Sequence, residues 1–143
     1  MTIRDAMTAP AIRIHPRENV SVAARMLERE NIGSLPVCGS DGRLCGLVTD
    51  RDIVVRCLAA GRSPSTTTVG EIMTGAVVSA QPDMRLELAA ELMGRRQIRR
   101  LPVTENGKLC GMLSLGDLAE RPESLLDAGD ALAFISGRLS SRG

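Results

Sequence analysis

A chain of 143 residues with 43% hydrophobic and 24% charged residues has the composition of a folded soluble protein, one domain's worth or two half-domains that share a core. A net charge of +1, one Phe and no Tyr or Trp supply neither a field to attract nucleic acid or an acidic membrane nor rings on which unpaired bases could stack. No run approaches the roughly 18 to 20 apolar residues of a membrane span, and MTIRDAMTAPAIRIHP lacks the charged-then-apolar pattern of a secretory leader, so a cytoplasmic protein is expected.

In chain order, Ala11–Ile14 reads as a short extended segment before Pro16, and a helix follows with Val22, Ala23, Met26 and Leu27 on one stripe. LPVC, a Gly-containing turn and RLCGLVT read as a β-hairpin, and another helix opens at Thr49. GRSPSTTT, Gly61–Thr68, has the composition of a connector. The order then returns: an extended Val77–Ala80 before Pro82, a helix with Leu88, Ala89, Leu92 and Met93 on its stripe, LPVT, a turn, KLCGMLS, and a helix opening at Ser114. In the tail, ESLLDAGDALAFISGRL spaces Leu125, Leu126, Ala131, Leu132 and Ile135 for a further helix that packs on the pair or on a second subunit.

The chain is therefore a tandem repeat. Met7-Thr8 matches Met73-Thr74 and Leu35-Pro36-Val37 matches Leu101-Pro102-Val103, both at an offset of 66; after the turn Leu44-Cys45-Gly46 matches Leu109-Cys110-Gly111 at 65, because GSDG is answered by the shorter ENG. The expected fold is α+β, two β-α-β-β-α units packed sheet to sheet about a pseudo-twofold, because neither copy readily buries enough apolar surface alone. The divisions are 1–60, a connector 61–68, 69–120, and a tail 121–143.

Catalytic chemistry finds little material. His15 is the one histidine and precedes a proline, which marks it as a loop residue rather than a general base. Cys38, Cys45, Cys57 and Cys110 contain no pair at the spacing of a metal knuckle. They read as small apolar residues in a reducing compartment. Cys45 and Cys110 are repeat equivalents, and a redox-sensitive pair is the sharper reading of them.

Thr49-x-x-Asp52 and Ser114-x-x-Asp117 both open helices, and a hydroxyl followed three residues later by an acid is the pattern of a capping box. Capping alone accounts for it. Two details suggest more. Gly46 and Gly111, three residues before each hydroxyl in a strand, suggest a close approach to the backbone. The amides of a helix start, with a hydroxyl beside them, suit an anion. A carboxylate one turn in can accept both hydroxyls of a vicinal diol. Phosphate at the hydroxyl and ribose at the acid together describe a nucleotide.

The repeated pattern Pro, helix, I-x-x-L-P-V, turn, L-x-G-h-h-[TS]-x-x-D-[IL] resembles a pair of cystathionine β-synthase (CBS) domains, also called a Bateman module, over approximately Thr2 to Glu120. TDRDIVVRCLAAG and QIRRLPV resemble the stand-alone bacterial type. The resemblance implies two clefts, with Asp52 and Asp117 on ribose hydroxyls and Thr49 and Ser114 on phosphate. The base would lie against Ile12–Ile14, Leu35 and Pro36 in one cleft and against Val78–Ala80, Leu101 and Pro102 in the other. Arg51 would meet phosphate charge in the first cleft, and Arg99 or Arg100 in the second, so unequal clefts are expected. It further implies a non-enzymatic regulatory module, signalling to a protein partner in trans and assembling as a homodimer. AMP, ADP, ATP or S-adenosylmethionine would be its regulatory ligand, with no required cofactor and no metal. Against this stands a ligand-free dimerisation or interaction module whose motifs are only helix caps.

Overall fold

The computed structural model describes residues 1–120 and Ile135. Each repeat is opened by a single helical turn, too short to carry a periodicity: α1 (Ile3–Ala6) and α4 (Val69–Ile72). In both, the acid three residues beyond the N-cap accepts the N-cap N–H, Asp5 from Thr2 at 2.9 Å and Glu71 from Thr68 at 2.7 Å, which satisfies an amide that the helix cannot.

The longer helices follow, α2 (Val20–Glu30) and α5 (Leu86–Arg96), each ending on a left-handed residue, Asn31 or Gln97. On α2 the buried residues are Val20, Ala23 and Leu27, with Val22 and Met26 partly buried. On α5 the expected stripe is displaced. Leu86, Ala89, Ala90 and Met93 are buried, at spacings of three, four and seven from Leu86, whereas Leu88 is 52% exposed.

Both hairpins form as expected. β1 (Ser34–Cys38) pairs antiparallel with β2 (Leu44–Thr49), and β3 (Arg100–Glu105) with β4 (Lys108–Ser114). Between β1 and β2 the register shifts at Val37/Cys38, leaving Cys45 as a bulged residue. The second hairpin turns through Asn106 and Gly107, both at positive φ, as a two-residue turn that matches strand twist demands. The segments expected to be extended ahead of α2 and α5 contribute one parallel bridge each, Ile14 to Val37 and Ala80 to Val103.

Thr49 then opens α3 (Asp50–Asp52), which continues as a π-helical stretch, Ile53–Leu58, while Ser114 opens α6 (Leu115–Ala119). The β-branched run Ile53-Val54-Val55 crowds a regular α-helical turn, and Ala59 N–H reaches back to Val54 O at 2.8 Å. Of the helix expected in the tail, only Ile135, itself helical, falls among the described residues.

The packing units are drawn differently from the sequence repeats. Among the described residues, one comprises Met1–Ala11, Val78–Asn106 and the segment from Cys110 to Glu120; the other comprises Ile12–Val77 with Gly107–Leu109. Ile3 of α1 is in the core with Leu86, Met93, Leu101 and Leu113, while Val69 and Ile72 of α4 are in the core with Val20, Leu35, Val37 and Val48. Backbone bonds fasten both additions: Ile3 N–H to Met84 O, and Val69 N–H to Glu18 O and Gly70 N–H to Pro16 O. Among the described residues no helix is long and apolar enough to cross a membrane.

Ile3 has no exposed surface, so Ile3→Ala is expected to cost about 2 to 4 kcal/mol in urea unfolding despite its position beside the N-terminus. A second expectation concerns acid. The Thr68 N–H, and then the Thr68 hydroxyl and Arg62, hold the Glu71 carboxyl below the usual range. A folded-state value below the unfolded one contributes stability that is in place above about pH 4.3 and is lost as pH falls through the lowered value. Glu71→Gln should therefore lower stability near neutrality, where the carboxylate is charged, and converge on the parent in acid, flattening the acid limb of a stability-versus-pH curve.

Candidate functional site

In the unit of residues 12–77, β2 delivers Thr49 to the start of α3. The Thr49 Oγ1 accepts from the Asp52 amide at 3.0 Å, and Asp52 Oδ2 accepts from the Thr49 amide at 3.0 Å. Asp52 is only 8% exposed. Its other oxygen, Oδ1, lies 3.7 Å from Arg56 Nε, an ion-pair distance beyond hydrogen-bond reach. No hydrogen bond to Oδ1 is present among the described residues. Ser34 stands opposite Thr49 on β1, and the Asp50 amide donates to Gly33 O at 3.0 Å. On the far edge of β1, Ile14 N–H donates to Pro36 O at 3.0 Å, so Ile14 runs about two strand spacings, roughly 10 Å, from β2 at the level of Leu47.

The other unit repeats the corner. Ser114 Oγ accepts from the Asp117 amide at 3.0 Å, and Asp117 Oδ2 accepts from the Ser114 amide at 2.8 Å. Here the acid is half-buried, and no cation lies within ion-pair reach of it among the described residues. Leu115 N–H donates to Arg99 O at 3.1 Å, which sets the Arg99-Arg100 backbone beside the helix start. Arg99 is exposed; Arg100 carries a buried Nε with no hydrogen-bond partner among the described residues. Ala80 N–H donates to Pro102 O and Thr104 N–H to Ala80 O. A depression of about 460 Å³ is lined by Ser79, Ala80, Gln81, Asp83, Met84 and Thr104. It takes in Ala80 but neither Ser114 nor Asp117.

Thr49 with Asp52, and Ser114 with Asp117, thus come together at matching corners. The apolar candidates are placed otherwise: Ile14, Leu35, Ala80 and Leu101 bury their side chains in the cores, and Pro36 and Pro102 are buried beside them. At these positions a ligand is offered backbone, while Ile12 is exposed and Val78 half-buried. Arg51 is exposed, its amide donating to Asp50 Oδ1 at 2.7 Å, and the Asp50 carboxylate stands over Gly33. The cation beside Asp52 is Arg56. Its signal in the sequence is the i, i+4 spacing from Asp52, repeated as Asp117 and Arg121.

The close approach expected at the two glycines is present. A Cβ on Gly46 would lie 2.7 Å from Met73 Sδ and 2.8 Å from Thr74 O, and one on Gly111 would lie 2.5 Å from Met7 Sδ and 3.1 Å from Thr8 O. The close approach is made by the chain itself: Leu47 and Thr74 exchange backbone hydrogen bonds, as do Thr8 and Met112. His15 bonds Ser40 Oγ through Nε2 and the Arg17 amide through Nδ1, as a loop residue does. The Cys45 and Cys110 thiols donate to Val37 O and Val103 O. Burial pushes the Cys45 thiol up, away from the thiolate that redox reactivity requires.

A model of the CBS domain family matches the chain twice, over residues 3–58 and 69–124. The chain is 41% identical over 135 residues to the CBS domain-containing protein YhcV of Bacillus subtilis, covering 94% of this chain and 95% of that one. It is 36% identical over 118 residues to Hypoxic response protein 1 of Mycobacterium tuberculosis, covering 82% of each. The crystal structure of Hypoxic Response Protein I with two coordinated zinc ions matches with a TM-score of 0.78 at 36% identity, over 85% of this chain and 98% of that one. CBSX2 in complex with AMP matches at 0.73 and 29% identity, over 83% and 93%. The CBS domain pair of MJ0100 with 5′-methylthioadenosine and S-adenosyl-L-methionine matches at 0.73 and 28%, over 84% and 94%. Among the described residues of this chain, no group of three or more His, Cys, Asp or Glu is placed to hold a metal ion.

Because Met73 can swing but the Thr74 carbonyl is fixed by its ladder bonds, Gly46→Ala should destabilise the protein by about 1 to 3 kcal/mol. Thermal unfolding checks this, with a fall of several degrees expected for a chain of this size.

Proposed function

The chain belongs to the CBS domain family as a tandem pair, and from that membership we propose that it is a regulatory module that takes adenosine compounds at its Thr/Ser-x-x-Asp corners. The observation that carries the reading is the state of the Asp52 carboxylate. It is nearly buried, one oxygen is committed to the Thr49 amide, and the other accepts no hydrogen bond among the described residues, the Arg56 Nε standing 3.7 Å away. A carboxylate has about four lone-pair positions, so such an oxygen suits two hydroxyls of a ribose. The adjacent helix start suits phosphate. CBSX2 with AMP and MJ0100 with 5′-methylthioadenosine and S-adenosyl-L-methionine support an adenosine compound as the class.

Thr49 with Asp52 and Ser114 with Asp117 are the core of the proposed sites. Backbone around Ile14, Leu35 and Pro36, or around Ala80, Leu101 and Pro102, lies against the base, and Arg51, Arg99 and Arg100 remain candidates for phosphate. The corners are unequal, since only Asp52 has a guanidinium beside it among the described residues. In this reading the module is non-enzymatic, acts in the cytoplasm as a homodimer, and passes ligand occupancy to a protein partner by a shift of conformation.

A second reading has one specific observation in its favour. The same hydroxyl-to-acid spacing at Thr2–Asp5 and Thr68–Glu71 serves as a helix cap, so at Thr49 and Ser114 capping alone could fill the role. Thermal shift with AMP, ADP, ATP and S-adenosylmethionine, alongside 2′-deoxy analogues, separates the two. At about a hundred times its dissociation constant a ligand adds roughly 2.7 kcal/mol. Asp52→Ala or Asp117→Ala should weaken the ribonucleotide by about tenfold to a hundredfold at its own corner, the equivalent of a charge-assisted hydrogen bond of roughly 1.5 to 3 kcal/mol. Loss of stability with no ligand-induced shift at millimolar concentration, in either variant or the parent, leaves only the caps.

A further inference from the structure

We propose that Arg56 is a positioning residue that ties the Asp52 carboxylate to the end of α4, so that a change of charge or occupancy at Asp52 is felt at Met73 and Thr74. Only the ligand part of this rests on the adenosine-binding reading; the tie itself is a property of the chain.

Three sets of contacts meet at this arginine. Its Nε stands 3.7 Å from Asp52 Oδ1. Its Nη1 donates to Ile72 O at 3.3 Å, in the last residue of α4, and to Met73 O at 3.2 Å, in the residue that caps it. The residue that follows is locked to β2: Thr74 N–H donates to Leu47 O at 2.8 Å and Leu47 N–H to Thr74 O at 3.0 Å. Two residues further along, β2 ends at Thr49, whose amide holds the other oxygen of Asp52. The contacts close a ring from Asp52 through Arg56, Met73, Thr74, Leu47 and Thr49 back to Asp52.

Arginine suits this position for a definite reason. Its planar fork lets Nε and Nη1 serve different partners at once, which a lysine ammonium on a flexible stem does not reproduce. An exposed ion pair couples weakly, but here the carboxylate side chain is 10% exposed against 53% for the arginine. Attraction at 3.7 Å without a hydrogen bond leaves Oδ1 able to accept from hydroxyls. Hydroxyls donating there draw on the same negative charge that holds the guanidinium, and the guanidinium holds the end of α4.

Amide hydrogen exchange at Thr74 tests the tie in the full chain, using the parent, Asp52→Asn, Arg56→Gln and the double variant. Asp52→Asn should speed exchange at Thr74 about two- to fivefold when Arg56 is present, and make no difference in the Arg56→Gln background. Arg56→Lys should behave like Arg56→Gln. Additive effects, or equal acceleration of the β1 amides, would overturn the proposal. With AMP as probe, exchange at Thr74 should change in the parent and not in Arg56→Gln; an equal change in both also overturns it. If AMP alters no amide at all, adenosine binding fails for that ligand, and the four-way comparison still decides the role of Arg56.

Discussion

A repeat of about 60 residues is marginal as a core of its own, and the architecture follows from how that shortage is met. Each hairpin and long helix needs one more apolar turn to cover its inner face. The turn comes from the segment that opens the other repeat in the chain order, Ile3 with one hairpin and Val69 with Ile72 with the other. The capping acids Asp5 and Glu71 keep these single turns helical, and the residues after them, Met7-Thr8 and Met73-Thr74, run on to the strands that lead into the corners.

This explains why the two glycines stand three residues before each corner. A side chain at Gly46 or Gly111 would push away the incoming Met-Thr segment, and with it the short helix that completes the core. The strand, the glycine and the capped helix therefore act together: the segment docks on the strand, the strand ends at the hydroxyl, and the hydroxyl and acid fix the helix start. The acid spends one oxygen on this architecture, and the chemistry proposed for the corner uses the other. At Asp52 the two roles meet in a single nearly buried carboxylate.

Much of this could be read in the residues because it is local. The offset of 66, the Gly-containing turns and the hydroxyl-to-acid spacing each express a constraint within a few positions, and the hairpins and caps follow. The exchange of opening segments is not local, and a single helical turn such as Ile3–Ala6 has no periodicity to betray it. The α5 stripe was displaced because Leu88, apolar by composition, lies outside the 3, 4 and 7 spacing that Leu86 begins. Glycine in a strand announces a close neighbour but not which one. Arg51 sits inside the motif, whereas the guanidinium beside the carboxylate belongs to Arg56, one helical turn away.

The exchange also bears on how such a chain can arise. A polypeptide holding one repeat has an opening turn with no partner of its own to cover, and a hairpin whose inner face is left uncovered. Two copies of that half-length chain could complete each other only by meeting in solution. Joining them end to end turns a bimolecular requirement into an intramolecular one. Duplication here supplies the missing wall of each core.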